Sequence, residues 1–142
     1  MSRRVARIRR VLAVAHEKVT ACERALSDAR AALAEARATH ALAKQALESS
    51  LGRWLDAVHA PDLEASADFR ETLRRAEIRA YGQVCAADRA VAGGLATLVE
   101  ARKDERRYEL LIETIERGDA LLAARAELRA SDAQGARRRS IA

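Results

Sequence analysis

The sequence contains few of the residues on which most folds depend. Among its 142 residues are one proline, one phenylalanine, one tryptophan, two tyrosines, two cysteines and six glycines. The shortage of glycine and proline excludes β-sheet folds that are rich in tight turns. No apolar run approaches the ~20 residues that a membrane-spanning helix needs. Large apolar side chains are too scarce for a conventional globular core.

Alanine and charged residues make up most of what is there. The chain has 34 alanines and 23 arginines, 33% of its residues are charged, and its formal net charge is +5. Alanine, leucine, arginine and glutamate are strong helix formers. Their dominance is typical of long helices in a coiled coil, which predicts an all-α fold.

The first half of the chain carries a heptad repeat. Larger apolar residues recur every seven positions, and a small residue follows most of them by three positions, which predicts a coiled-coil helix. The first set is Val5, Leu12, Val19, Leu26, Leu33, His40, Leu47 and Trp54. The second set is Ile8, Ala15, Cys22, Ala29, Ala36, Ala43, Ser50 and Ala57.

The second half repeats the pattern after the single proline, Pro61. Proline is tolerated at the start of a helix but not inside it, so a break is expected here, with Ser66 or Asp68 as the N-cap. One heptad position then holds Val84, Val91, Leu98, Glu105 and Ile112. The other holds Leu73, Ala80, Ala87, Gly94, Ala101, Tyr108, Ile115 and Leu122.

These patterns predict one Ala-rich, closely packed, antiparallel two-helix coiled-coil hairpin, monomeric when isolated. If paired residue numbers sum to about 127, Leu26 faces Ala101 and Leu33 faces Gly94, so large residues pack on small ones. In that register Cys22 and Cys85 are too far apart for a disulfide. The predicted segments are helix 1 (about 4–58), a turn (about 59–67), helix 2 (about 68–131) and a basic disordered tail (about 132–142).

We expect no catalytic, cofactor or metal site, because a two-helix hairpin offers no concave site with converging groups. His16, His40 and His59 are expected at different heights, and neither cysteine lies in a CxxC motif. No glycine-rich nucleotide-binding motif is present. The chain is therefore predicted not to be an enzyme, and to be cytoplasmic with reduced thiols.

Positive charge is concentrated at the two ends of the chain, which the hairpin brings together. Residues 1–10 contain five arginines and no acid, and residues 129–142 contain four arginines and one aspartate. Such an end is suited to an acidic partner. These arginines are Arg3, Arg4, Arg7, Arg9, Arg10, Arg129, Arg137, Arg138 and Arg139.

Three stretches of the sequence resemble the FliJ/YscO family, the coiled-coil stalk proteins of bacterial flagellar and virulence type III secretion systems. Residues 68–76, which contain Phe69, Leu73 and Ala76, are similar to the Phe-x3-Leu-x2-Ala run of that family. The charged stretch 100–111 and the ending 127–133 resemble the family as well, although Ala133 stands where an acid is usual. The Gly93-Gly94 pair is a second departure.

The resemblance implies a non-enzymatic central stalk at the cytoplasmic face of the export apparatus. The terminal end would enter the pore of a hexameric secretion ATPase, the other end would contact the nonameric export-gate ring, and export chaperones are further candidate partners. The family's gate contact carries over to Phe69, Leu73, Ala76 and Ala80. From helical spacing alone we add Leu47, Leu51 and Trp54, which share one face of the first helix.

Two alternatives remain open at this stage. The arginines are also compatible with non-specific nucleic-acid binding, although aromatic residues for base stacking are scarce and no specific nucleic acid is expected. An Arg-rich coiled-coil adaptor, including a parallel homodimer, is the other alternative. Pro61 and the pairing of large with small residues favour the hairpin.

Overall fold

The computed structural model describes the backbone of residues 3–56 and 60–141, and the side chains of residues 3–52 and 63–141. Two long helices, α1 (Arg3–Asp56) and α2 (Ala60–Ile141), account for all of the described backbone. They pack against each other as an all-α helical hairpin, which confirms the predicted fold class. The chain divides into unit 1 (Met1–Val19 with Glu100–Ala142) and unit 2 (Thr20–Val99).

The two helices run antiparallel within each unit. In unit 1, Arg9 contacts Glu116 and His16 contacts Glu105. In unit 2, Leu26 lies next to Gly94, Arg37 pairs with Asp88, and His40 pairs with Glu77. The residue numbers of these partners rise along α1 while they fall along α2, as they do in antiparallel helices.

The burial pattern of α1 follows the predicted heptads. Between Arg3 and Gly52, every predicted seam position is buried or half-buried, and Ala6 is the one other residue in that range that is not exposed. A single stripe of side chains therefore holds α1 against α2. The predicted seam positions Trp54 and Ala57 lie outside the residues whose side chains are described.

The predicted seam of α2 is also observed, but it ends one heptad early. Leu98, Ala101 and Ile112 are buried, and Ile115 is half-buried. Leu122, predicted to continue the seam, is instead 64% exposed. That prediction was wrong because, among the described residues, none of α1 covers this part of α2.

The predicted register was wrong by one heptad. A Cβ added to Gly94 would lie 3.4 Å from Leu26 Cδ1, so Gly94 faces Leu26 rather than Leu33. Large residues still pack on small ones, because shifting a seven-residue repeat by seven restores the same matching. The heptad pattern alone therefore could not choose between the two registers, and the choice depends on where the chain reverses.

The chain reverses earlier than predicted. α2 begins at Ala60, so the expected turn over 59–67 is wrong for all but its first residue, His59, which lies outside the described residues. Pro61 falls in the first turn of α2, where its missing N–H would have had no helical partner. Neither Ser66 nor Asp68 is an N-cap, because both lie inside α2, more than one turn after its first residue, Ala60.

The predicted disordered tail at 132–142 is helical as far as Ile141. This segment contains no proline, and alanine, arginine and leucine dominate the residues that lead into it. Those residues have high helix propensity, so a positive charge excess alone does not unfold the segment.

Two further features complete the description. Cys22 and Cys85 are both free and half-buried. Within the described residues, neither helix contains a segment apolar enough to span a bilayer.

Candidate functional site

The N-terminal arginines lie on the exposed side of α1 in unit 1. Arg3, Arg4 and Arg7 line an open groove together with Ile8 and Leu111. Arg9 donates a hydrogen bond to Glu116 Oε1 at 2.7 Å, and both side chains are about half exposed. A surface pair of this kind contributes roughly 0–1 kcal/mol, so the cluster is available to a partner rather than committed to the fold.

The C-terminal arginines lie on a part of α2 that no described residue of α1 covers. We call residues 117–141 the α2 extension; all of them are exposed except Gly135, which is half-buried. At 1.5 Å per residue the extension is about 37 Å long. Its large apolar side chains Leu121, Leu122, Leu128 and Ile141 are between 61% and 87% exposed. Its basic residues are Arg117, Arg125, Arg129, Arg137, Arg138 and Arg139.

The nine arginines predicted to form one basic end therefore do not form a single cluster. Arg3, Arg4 and Arg7 surround Leu111, whereas Arg138 follows 27 residues later on α2, about 40 Å further along that helix. The positive charge of unit 1 instead follows the helix surface from the start of α1 to the end of the extension.

The residues predicted to contact the export gate differ in their accessibility. Phe69 is 53% exposed and Leu51 is 42% exposed. Leu47, Leu73 and Ala76 are half-buried in or beside the seam. Ala80 is buried at 5% exposure, which removes it from any surface open to a partner. Trp54 lies outside the residues whose side chains are described.

Phe69 and Leu51 lie on opposite flanks of unit 2. Leu51 is two heptads beyond Arg37, so it shares the flank on which Arg37 pairs with Asp88 at 3.5 Å. When the α2 row that contains Asp88 is followed back in steps of seven residues, Phe69 lies two residues after the nearest member of that row. Two residues correspond to about 200° around the helix, so Phe69 lies on the other flank. On its own flank, Phe69 lines a groove with Ser50, Ala65 and Ser66.

Two histidines form hydrogen bonds with glutamates across the helices. His16 Nδ1 lies 2.6 Å from Glu105 Oε2, and His40 Nε2 lies 2.8 Å from Glu77 Oε1. The His40 ring also packs at a tilt against Tyr81, with 5.5 Å between the ring centroids. His40 is thus a polar residue at a seam position, and its ring nitrogen is satisfied by Glu77.

Glu109 adds a third potential metal ligand beside His16 and Glu105, and the ligand atoms of the three lie within 4.8 Å of one another. Arg106 Nη1, however, already contacts Glu109 Oε2 at 3.1 Å. A cation would have to displace that arginine in an exposed setting, so we assign no metal to the cluster. The i, i+4 spacing of Glu105 and Glu109 could have indicated this cluster from the sequence. That His16 faces them depends on the register of the two helices, which the sequence did not determine.

Tyr81 is the one described residue with a clearly shifted pKa. A hydrogen bond with the Cys85 thiol, one turn along α2, raises the pKa of the Tyr81 hydroxyl, and negative charge on Cys85 and Asp88 raises it further. The neutral phenol is therefore favoured in the folded protein. No nucleophile, base and electrophile converge at this exposed position.

A scan against protein-family models finds no match for this chain, and neither a search of curated proteins nor one of solved structures finds any.

Proposed function

We propose that the protein is a non-enzymatic coiled-coil stalk of the FliJ/YscO type, which couples a hexameric secretion ATPase to an export gate at the cytoplasmic face of a type III secretion apparatus. In this proposal unit 1 binds the ATPase and unit 2 binds the nonameric gate ring. Both functions require binding surfaces only, and no catalytic group is assigned.

The observation that carries the proposal is the α2 extension. It is a long helical segment that the described part of α1 leaves uncovered, and its surface carries six arginines against the three acids Asp119, Glu127 and Asp132. A helix with side chains is about 10–12 Å across, which suits insertion into the central opening of a ring. Its exposed leucines would gain a covering surface inside such a ring.

Electrostatic attraction supports the same docking mode. The five arginines of residues 1–10 face solvent or a shallow groove at the point where α1 joins the paired part of unit 1. A ring opening lined with carboxylates would attract them over several ångströms and then form charge-assisted hydrogen bonds with their guanidinium groups. Arginine favours this role because its planar fork can bind carboxylates in a bidentate manner.

For the gate contact, accessibility selects Phe69 from the proposed set. Phe69 is exposed and borders the groove formed with Ser50, Ala65 and Ser66. A large aromatic side chain next to a groove is a common interface anchor. Leu51 is exposed on the other flank, so it would contact a different part of the gate or a different partner.

The experiment is a binding measurement between the full chain and the secretion ATPase of the same genome, made by biolayer interferometry at 150 mM salt. Replacement of Arg3, Arg4 and Arg7 by glutamate should weaken binding by about tenfold or more, because attraction to an acidic opening becomes repulsion. The matched control replaces Arg24, Arg30 and Arg89, three exposed arginines of unit 2, and thereby changes the net charge equally.

The control should bind within about threefold of the unaltered chain, because rim charges act mainly through local complementarity at this salt concentration. Loss of binding in both variants would mean that only the net charge matters, and no binding by the unaltered chain would refute the stalk. A duplex DNA arm tests the nucleic-acid alternative: sequence-specific binding at the same salt would favour that function instead.

A further inference from the structure

A second row of mostly apolar residues follows the outer surface of α2 in unit 2. Its members are spaced alternately three and four residues apart, which keeps them on one side of a helix. Ile78, Tyr81, Leu95 and Val99 are between 41% and 60% exposed, although the seam beside them is covered. We call the row the α2 stripe; it consists of Ile78, Tyr81, Cys85, Asp88, Ala92, Leu95 and Val99.

The stripe has the pattern of a coiled-coil seam that lacks its helix. The 22 residues from Ile78 to Val99 extend about 30 Å along α2, which matches about six turns of a partner helix. Large apolar residues stand at both ends, and the small Cys85 and Ala92 lie between them, so a bulky side chain could pack closely against the middle.

The stripe borders a basic row on α1. Arg37 reaches across to Asp88 at 3.5 Å, and the His40 ring contacts Tyr81, so this side of α1 adjoins the stripe. Heptad spacing places Glu23, Arg30 and Lys44 in the same row as Arg37, so this row holds three basic residues and one acid. On the other side of the stripe, α2 carries the exposed Arg75, Arg79 and Arg89, of which Arg75 pairs with Glu71 at 3.5 Å.

We propose that the α2 stripe binds an amphipathic helix of another protein, one whose apolar face is bordered by glutamate or aspartate. The alternating spacing selects a helix, because apolar residues at intervals of three and four match helical side chains. The basic rows on both sides select acidic borders, which would form ion pairs at the rim of the contact.

A second copy of the chain is a poorer occupant. Two stripes facing each other would bring Arg30 and Lys44 of one copy near the basic rows of the other, and like charges at such an interface oppose association. Asp88 does not offset this effect, because it is already paired with Arg37. The proposed surface is distinct from the arginines and the extension used in the stalk proposal.

The probe is a synthetic 28-residue peptide with leucine at the two seam positions of each heptad and glutamate at the bordering positions. A matched peptide with lysine at those bordering positions serves as the electrostatic control. Binding of each fluorescently labelled peptide to the full chain is measured by anisotropy at 50 mM and 300 mM salt. The acidic peptide should bind at least tenfold more tightly than the basic one at low salt.

Two variants locate the contact. The double change Tyr81→Glu and Leu95→Glu should weaken binding of the acidic peptide by tenfold or more, since it places charge in the apolar contact. The matched control, Leu42→Glu, alters a residue that is 68% exposed outside the stripe and should change binding less than twofold. Circular dichroism should show the same helicity in both variants, because neither changes the buried seam.

Equal binding of the two peptides, or unaltered binding by the stripe variant, would overturn the proposal. Sedimentation of the full chain tests the competing occupant: concentration-dependent dimers that disappear in the stripe variant would assign the stripe to self-association and would likewise overturn it.

Discussion

Leu26 and Gly94 show how an Ala-rich sequence holds two helices together. Leu26 is 4% exposed, and its Cδ1 would lie 3.4 Å from a Cβ placed on Gly94. Gly94 therefore allows the backbones to approach, but an alanine would still meet Leu26 at an ordinary van der Waals distance. Gly93, one residue earlier, has nothing within 4 Å of its added Cβ.

Replacing Gly93 by alanine should stabilise the hairpin by about 1 kcal/mol, because alanine loses less backbone entropy in a helix. Gly94→Ala should be equally or slightly less favourable, since its methyl group touches Leu26. Urea unfolding followed by circular dichroism measures both changes. Destabilisation by Gly93→Ala would show that the residue is not in a regular exposed helix.

Leu26→Ala should lower the free energy of unfolding by at least about 2 kcal/mol, because it removes a buried side chain and leaves a cavity. The control, Leu42→Ala, removes the same atoms from a side chain that is 68% exposed and should change stability by less than about 0.5 kcal/mol. The same urea titration compares them. Similar losses for both would contradict the assigned seam.

Tyr81 should ionise at a higher pH than an ordinary tyrosine, whose pKa is about 10, because Cys85 hydrogen-bonds to its hydroxyl and opposes its negative charge. Since the pKa is raised on folding, this interaction stabilises the fold below the ordinary pKa and is lost as the pH rises through the raised value. Absorbance at 295 nm in a Tyr108→Phe background gives the midpoint.

Cys85→Ala should shift that midpoint downward, toward the value of an unperturbed tyrosine, whereas Cys22→Ala should leave it unchanged. An identical midpoint in both cysteine variants would show that Cys85 does not contact Tyr81 in solution.

At the scale of elements, the unequal helices are the main structural fact. α1 has 54 residues and α2 has 82. The seam of α2 ends with Ile115, and every residue from Glu116 to Arg125 is exposed. The extension is consequently held by its own backbone hydrogen bonds and helix propensity, without the tertiary packing that stabilises most protein helices.

Deleting residues 118–142 should leave the unfolding free energy of the hairpin within about 1 kcal/mol, because these residues contribute no seam contact. Ellipticity at 222 nm should fall in proportion to the helical residues removed. A thermal and urea unfolding series on the truncated and full chains tests this. A large loss of stability would mean that the extension packs against the rest of the protein.

The sequence was sufficient to predict the seam but not the helix ends. Leu26, Leu33 and Leu98 are buried as predicted, since heptad spacing directly determines which side of a helix is apolar. The register could not be predicted, because a shift of one heptad keeps large residues on small ones. The sequence predicted helix as far as about residue 131, but not its continuation through residues 132–141, where a positive charge excess does not override the helix propensity of the chain.

The candidate surfaces were predicted less completely than the fold. The exposed arginines could be named from composition and Phe69 from the family resemblance, whereas Ala80, named from the same resemblance, proved to be buried. The His16–Glu105 pair and the basic row beside the α2 stripe depend on which residues face each other across the helices. Contacts of that kind follow from the register, so they required the structure.

At the scale of the whole molecule, the two units carry different kinds of surface. Unit 1 has the N-terminal arginines and the basic α2 extension, whereas unit 2 has Phe69 with its groove and the apolar stripe. A stalk that transmits a signal between two assemblies needs two such distinct binding surfaces. In the proposed function, ATPase binding belongs to unit 1 and gate binding belongs to unit 2.

The most direct test is the rate of ATP hydrolysis by the secretion ATPase of the same genome, measured with and without this protein below the concentration at which the ATPase forms hexamers. The full chain should raise the rate by promoting hexamers, and the variant lacking residues 118–142 should raise it much less. An unchanged rate with the full chain, or equal stimulation by the full and truncated chains, would contradict the account.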